Sequence, residues 1–275
     1  MPPIPVVQGK DAEAAAEAAQ RVVQVHTRLA ESVCVGQTLA QIDTFIADTL
    51  EDLGCKSCFL GYRAPKLPKF PSHACLSLND CIVHGTAGYT NEPLKPGDLL
   101  SIDIGVSYRG WIGDAAWTYA IADRSEQAER LMRAGMDSIQ RGIAELQPGA
   151  KLLNWAAAVQ ETVETEAGFH LTRGLGGHGY GRTLHAPPFV ANVVPANGFL
   201  GEWPDARLEL KPGTLIAVEP MIAVGTGRTT SAPKTWPIFS ADGSLAVHYE
   251  HDVLVTEDGP RVLTEGLDDL PEVIG

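Results

Sequence analysis

The chain has 275 residues, is 44% hydrophobic and carries a formal net charge of -13. Its apolar content is enough to bury a full core, which excludes a disordered or fibrous chain, and the acidic balance argues against nucleic acid as a main partner, because phosphate binding needs clustered Lys and Arg. No run approaches the ~18 apolar residues of a membrane span and the first residues lack a basic-then-apolar leader, so a cytoplasmic protein with no membrane partner is expected.

Ala12 to Ser32, rich in Ala, Glu, Gln and Arg with Val22, Val23, Val25 and Leu29 as its apolar face, predicts a first helix. A second is predicted from Leu39 to Leu53, with Thr38 as N-cap, Leu39, Ile42, Phe45, Ile46 and Leu50 on the buried side, and Gly54 as its stop. Gly61 to Ser72 holds Pro65, Pro68 and Pro71 beside Arg63, Lys66 and Lys69, which predicts an irregular surface loop. Ala74 to His84 reads as extended, and Asp98 to Tyr108 and Trp111 to Ala122 read as strands joined at Arg109-Gly110. Helices are expected from Ser125 to Leu146 and from Leu153 to Ala167. The glycines of Gly174 to Gly181 predict irregular backbone, and strands return over Leu215 to Val224 and Leu245 to Thr256. The order helices, strands, helices, strands, with no long linker, predicts an α+β chain folded as one domain over residues 1–275.

Cys34, Cys55, Cys58, Cys75 and Cys81 form an odd, scattered set that suggests a reducing compartment. Cys55-x-x-Cys58 has no second pair or nearby His to complete a tetrahedral zinc site, so buried or pocket-lining thiols are the expectation there.

One stretch occurs twice. Leu94-Lys95-Pro96-Gly97-Asp98-Leu99-Leu100-Ser101-Ile102-Asp103 returns as Leu210-Lys211-Pro212-Gly213-Thr214-Leu215-Ile216-Ala217-Val218-Glu219. In both copies a turn opens an apolar strand and a carboxylate lands at the same offset. A duplicated half accounts for this and predicts that Asp103 and Glu219 face each other across a pseudo-two-fold axis. Strand alternation sets Ser101, Asp103 and Gly105 opposite Leu100, Ile102, Ile104 and Val106, and the hairpin brings Asp114 close to Asp103. In the last strand His248, Glu250 and Asp252 share a face.

Asp103, Asp114, Glu219 and Glu250 are thus four acids in or beside apolar strands, where an unpaired carboxylate is costly to bury. Any one of them alone is as well explained by a strand edge or a salt bridge. If all four converge, repulsion forces protonation unless cations lie between them, and two divalent ions offset four negative charges. With a nitrogen from His178, the donor set suits Mn, Fe, Co or Zn. A two-metal centre lowers the pKa of a bridging water and clamps attacking and leaving groups, which is hydrolase chemistry.

Cys81-Ile82-Val83-His84-Gly85, Ser101-Ile102-Asp103-Ile104, Gly110-Trp111-Ile112-Gly113-Asp114, Gly177-His178-Gly179-Tyr180-Gly181-Arg182-Thr183-Leu184-His185, Val218-Glu219-Pro220-Met221 and Tyr249-Glu250-His251 are similar to the motif series of type I methionine aminopeptidases, in the same order and at similar spacing. The resemblance spans roughly Leu39 to Thr264. It implies the α+β pita-bread fold, two pseudo-symmetric halves with antiparallel sheet flanked by helices, in which an N-terminal helical segment 1–38 leads into a core 39–264.

The resemblance also implies a dinuclear site for two divalent ions (Co, Mn, Fe or Zn). Asp114 and Glu250 would bridge the ions, Asp103 would chelate one, and His178 with Glu219 would complete the other, Glu219 also shuttling a proton from the activated water. His84 and His185 match the histidines that hydrogen-bond substrate and tetrahedral intermediate, while His248 and His251 stay as structural residues. The methionine side chain needs an apolar, sulfur-tolerant pocket, for which Phe59, Tyr62, Phe70, Cys75, Leu184 and Trp236 are the implied lining. The implied activity is removal of N-terminal methionine ahead of a small second residue. The implied partners are a peptide or nascent-chain N-terminus and a transient ribosome contact, with no DNA, from a monomer.

Three rival readings share this fold. An Xaa-Pro aminopeptidase or prolidase usually carries a separate N-terminal domain, for which the residues before the first ligand strand leave too little room at ~100–150 residues per domain. A non-catalytic binding module is expected to have lost ligands, and all five are present. A type II methionine aminopeptidase would carry a sizeable helical insertion between His185 and Glu219, where this chain has a short segment containing Pro and Gly.

Overall fold

The computed structural model describes residue 4, residues 6–196 and residues 203–275. The segment between His185 and Glu219 therefore includes six positions, 197–202, outside the described residues. Helix α1 (Lys10–Ser32) begins two residues before the expected Ala12, and its alanines Ala15, Ala18 and Ala19 are fully buried. These small side chains let its backbone lie on the sheet: a Cβ at Gly113 would come within 2.5 Å of Ala18 O. Helix α2 (Leu39–Asp52) starts at Thr38, whose side chain accepts from Gln41 N while Gln41 reaches back, a capping box rather than the single cap expected.

After the two-residue strand β1 (Lys56–Ser57) the chain enters the proline-rich loop, then β2 (Cys75–Leu78), β3 (Cys81–Val83) and the long hairpin of β4 (Leu99–Tyr108) and β5 (Trp111–Ile121). Arg109 (φ 51) and Gly110 (φ 81) make the hairpin turn with two left-handed residues, which matches the twist of the paired strands. β2 and β1 pair on the far side of β4, so Asp103 sits in a central strand with Cys75 as one neighbour and Ala116 as the other.

Helix α3 (Glu126–Ala144) is capped by Ser125, which accepts from Ala128 N. Helix α4 (Leu152–Gln160) does not stay α-helical to Ala167 as expected; it widens into a π-helical turn over Glu161–Glu166, closed by Ala167 N donating to Thr162 O. β6 (His170–Leu171), β7 (Gly176–Gly179) and β8 (Ala186–Ala191) follow.

Both late strands expected from the sequence are broken. Leu215 to Val224 is β9 (Leu215–Val218) and β10 (Met221–Ala223), interrupted at Glu219-Pro220, where proline has no N–H for a ladder. After the short β11 (Thr229–Thr230) and β12 (Ile238–Ser240), Leu245 to Thr256 splits into β13 (Ala246–His248) and β14 (His251–Thr256). β15 (Gly259–Val262) pairs with β14, and β16 (Val273–Ile274) pairs with β5. β9 and β14 belong to one five-stranded sheet, in the order β15-β14-β9-β7-β8, and β10 and β13 to a three-stranded one with β6. Glu219 and Glu250 therefore sit where the chain changes sheets.

The repeat is structural. Gly97 (φ 88) donates its N–H to Ile121 O at 2.8 Å, and Gly213 (φ 95) donates to Val255 O at 2.7 Å. In return Ile121 N meets Asp98 O and Val255 N meets Thr214 O, both at 2.9 Å. Each half thus opens its strand from the same turn tied to the end of the partner strand, which gives the α+β arrangement of two pseudo-symmetric halves. Glu250 N donates to Ala116 O at 2.8 Å and Thr118 Oγ1 to His248 O at 2.8 Å, so the halves meet along β5.

The expectation of irregular backbone over Gly174 to Gly181 is corrected by β7, which runs between β8 and β9. Its glycines serve close approach: an added Cβ would meet Val190 O at 2.4 Å from Gly176, Ala217 O at 2.1 Å from Gly177 and Pro187 O at 2.1 Å from Gly179.

Candidate metal centre

Asp103 and Asp114 come from the hairpin. Gly105 lies opposite Asp114 and Ala116 opposite Asp103, so the two acids are diagonal neighbours on one face of the pair. Both are buried, and Oδ1 of each has no hydrogen-bond partner. From the second half, β7 carries His178 beside Ala217, two residues before Glu219, and Glu250 stands immediately before β14. Asp114, His178 and Glu250 each offer a ligand atom within 4.8 Å of the others.

Glu219 closes the group: His178 Nε2 is 3.8 Å from Glu219 Oε1 and 3.9 Å from Asp114 Oδ2. His178 Nδ1 lies 3.1 Å from Gly179 O, and a carbonyl only accepts. The proton is therefore on Nδ1 and the Nε2 lone pair faces the acids. Burial pushes the His178 pKa down to about 3, so the ring is neutral, the state a metal ligand requires.

The carboxyls shift the other way. Burial pushes Asp103 up to about 7, with His248 opposing and Glu219 adding to the rise. Burial pushes Glu219 up to about 8 and lifts Asp114 and Glu250 well above the ordinary carboxylate range, their mutual repulsion adding to it. Acids with unpaired oxygens, forced to keep protons unless a cation replaces them, are what a divalent-ion site presents before loading. Four carboxylates and one imidazole fit hard or borderline divalent ions.

Because cations displace those protons, divalent affinity is expected to rise with pH through 7 and 8, by about tenfold per pH unit for each proton released. Calorimetric titration in two buffers of different ionisation enthalpy counts the protons; an affinity flat from pH 6 to 8 would contradict the assignment of these acids as ligands.

The five residues share one cavity, of about 80 Å³, with His84, His185, Phe59, Tyr62, Phe70, Cys75, Leu184 and Trp236, so every site residue named from the sequence lines it. Phe70 and Trp236 pack edge to face at 5.1 Å and Phe59 meets Phe70 at 6.2 Å. Gly105 makes room: a Cβ there would lie 2.6 Å from Phe59 Cε1. Phe70 is set by the loop base, where Phe70 N donates to Tyr62 O and Gly61 N to Phe70 O, and Trp236 Nε1 donates to Pro68 O at 3.0 Å.

His84 stands in the left-handed region (φ 57), a strained conformation held beside the acids. Burial pushes its pKa down to about 4, with His248 and His185 adding to the fall. His185 is exposed at the cavity wall, its Nδ1 2.8 Å from Tyr62 Oη.

A wider cleft of about 610 Å³ opens from the cavity past His84, His178, His185 and Glu219 toward Phe189 and Asp205. It also takes in His248, which the sequence reading left among structural residues. His248 Nε2 is buried 3.3 Å from Glu219 Oε2, off the direction of a hydrogen bond. Asp252 was also missed: its Oδ2 accepts from Asp114 N at 2.9 Å and fixes that strand from behind. The signal for both was the alternation with Glu250. His251 bonds Thr264 and faces Asp268, serving the packing of its strand.

The sequence matches the profile of metallopeptidase family M24 over residues 13–257. It is 36% identical over 269 residues to methionine aminopeptidase 1 of Mycobacterium tuberculosis, covering 96% of each chain. The crystal structure of methionine aminopeptidase from Thermotoga maritima superposes with a TM-score of 0.85 at 30% identity, over 95% of this chain and 99% of that one. The prolidase from Pyrococcus furiosus shares the fold at a TM-score of 0.71 and 19% identity, but 94% of this chain covers only 65% of it.

Proposed function

The chain belongs to metallopeptidase family M24, with methionine aminopeptidases as its relatives over nearly its whole length, and from that membership we propose that it removes the N-terminal methionine from peptides and nascent proteins whose second residue is small. The observation that carries the reading is the single cavity in which the acid-rich cluster adjoins an apolar, thiol-bearing pocket. Asp114 and Glu250 would bridge two divalent ions, Asp103 would hold one, and His178 with Glu219 the other. Two ions are proposed because two divalent charges balance four carboxylates. Bound there, the ions supply the Lewis acidity that makes water nucleophilic near pH 7.

The chain's own groups do the rest. Phe59, Phe70, Cys75, Leu184 and Trp236 receive the methionine side chain and shed its water. His84, neutral at pH 7 because burial depresses its pKa, and His185 hydrogen-bond the scissile carbonyl and the oxygen that gains charge. Glu219 accepts the proton released by the attacking water and returns it to the leaving amine.

A prolidase reading is disfavoured by the identities, 19% to the Pyrococcus furiosus prolidase against 36% to the Mycobacterium tuberculosis methionine aminopeptidase 1. Met-Ala-Ser is therefore expected to release free methionine after divalent-ion reconstitution, and Xaa-Pro dipeptides to remain intact; cleavage of prolyl dipeptides alone would reverse the assignment.

The working place proposed is the cytoplasm, as a monomer at the emerging N-terminus of nascent chains. Between Asp52 and Asp80 the sequence has no acidic residue, and the exposed Arg63, Lys66 and Lys69 rise from the loop whose base forms the pocket. That local positive rim on an acidic chain supports transient contact with ribosomal RNA, which salt would weaken. Among the described residues no helix is long and apolar enough to cross a membrane.

A further inference from the structure

We propose that Tyr62 is a positioning residue for His185: its phenol O–H donates to His185 Nδ1 and holds the imidazole in the tautomer whose proton lies on Nε2, the nitrogen left to meet the substrate. The role toward substrate rests on the aminopeptidase reading; the tautomer does not.

Tyr62 Oη and His185 Nδ1 are 2.8 Å apart, with the rings edge to face at 5.4 Å. The hydroxyl is placed independently of that bond. Tyr62 N donates to Phe59 O and Phe70 N to Tyr62 O, which fix its backbone, and its ring leans on Trp236 at 6.4 Å. Of the two ways to share one proton across this contact, donation from phenol to ring nitrogen is favoured. A phenol O–H is a more acidic donor than a neutral imidazole N–H, and an imine-type nitrogen accepts better than a phenol oxygen.

His178 provides the contrast. The two imidazoles stand 4.3 Å apart. His178 Nδ1 faces a carbonyl that can only accept, so its Nε2 keeps a lone pair for the acids and their cation. His185 Nδ1 faces a donor, so its Nε2 keeps a proton for an oxygen that becomes negative. Opposite partners behind neighbouring histidines give one a ligand's face and the other a donor's face.

The test is histidine NMR on the zinc-loaded, isotope-labelled chain, with kinetics on Met-Ala-Ser. In the unmodified protein His185 is expected to carry its proton on Nε2. Tyr62→Phe should convert it to a mixture of tautomers and lower kcat about tenfold with KM nearly unchanged, the size of one net hydrogen bond. His185→Gln keeps a donor near the Nε2 position without a tautomer to choose, so adding Tyr62→Phe to it should cost less than about twofold. A wild-type proton on Nδ1, or a tenfold cost that persists in the His185→Gln background, overturns the proposal. Should the chain release no methionine while the tautomer responds as expected, the aminopeptidase reading fails and the positioning of His185 stands. Melting temperatures of each variant separate misfolding from these outcomes.

Discussion

Replacing Glu219 with Gln is expected to lower kcat by about two to four orders of magnitude while leaving the fold and most metal binding in place. The amide keeps the shape of the carboxylate and one oxygen donor. The backbone carbonyl of Glu219, which accepts from Asn192 Nδ2 at 2.9 Å, is unaffected by the change, so the chain path at the sheet switch survives. What disappears is the group that takes a proton and gives it back. The proton cannot pass to Asp103 or Asp114 without cost, because both would be holding cations. Measuring kcat on Met-Ala-Ser together with metal content and melting temperature isolates the effect. Near-normal turnover at full metal occupancy would refute the proton-shuttle role, and turnover lost in step with metal would reassign Glu219 to ligation alone.

Gly177→Ala should destabilise the protein by about 3 kcal/mol, more than an ordinary surface substitution, and weaken its metal affinity in the same step. The new Cβ would lie 2.1 Å from Ala217 O, and that atom is backbone of β9, with no rotamer to swing away. β7 must then part from β9, which undoes the pairing of His178 with Ala217 and moves His178 relative to Glu219. For a chain of this size the melting temperature should fall by roughly 6–12 °C. Gly181→Ala is the control, since its Cβ would meet nothing nearer than Trp111 Cζ3 at 3.6 Å. Equal melting temperatures for the two variants would mean that the close approach of the strands is not a constraint.

What could be read in the amino-acid order was mostly local. Thr38 announces a cap through its side-chain oxygen and Arg109-Gly110 a turn through the freedom of glycine, and each lies where it was expected, while Ser125, read as the first residue of its helix, caps it instead. The repeated Leu-Lys-Pro-Gly was legible because duplication copies a turn and its strand together. Gly176, Gly177 and Gly179 misled because a glycine suggests conformational freedom, yet none of them has a positive φ; the neighbouring strand backbones that exclude a Cβ come from residues far along the chain. The break at Pro220 was visible in principle, whereas the break at Tyr249-Glu250 follows from which sheet its partner strand had joined. His248 looked like one more alternating residue until the pairing of β10 with β13, which sets it opposite Met221, brought it to 3.3 Å from Glu219. That pairing joins residues distant along the chain, and no local pattern encodes it.

The loop from Gly61 to Phe70 is tied at its base by Gly61 N to Phe70 O and Phe70 N to Tyr62 O, and along its length by Trp236 to Pro68 O. A loop pinned this way uncouples its tip from its base. The exposed Arg63, Pro65 and Lys66 can gain or lose charge, or be set apart by an insertion, without carrying Tyr62 and Phe70 out of the pocket, whereas Ala64 and Leu67 pack against its lining. The same few positions can therefore drift through evolution, or accept an engineered insertion, as an outward-facing address while the chemistry beneath them stays constant.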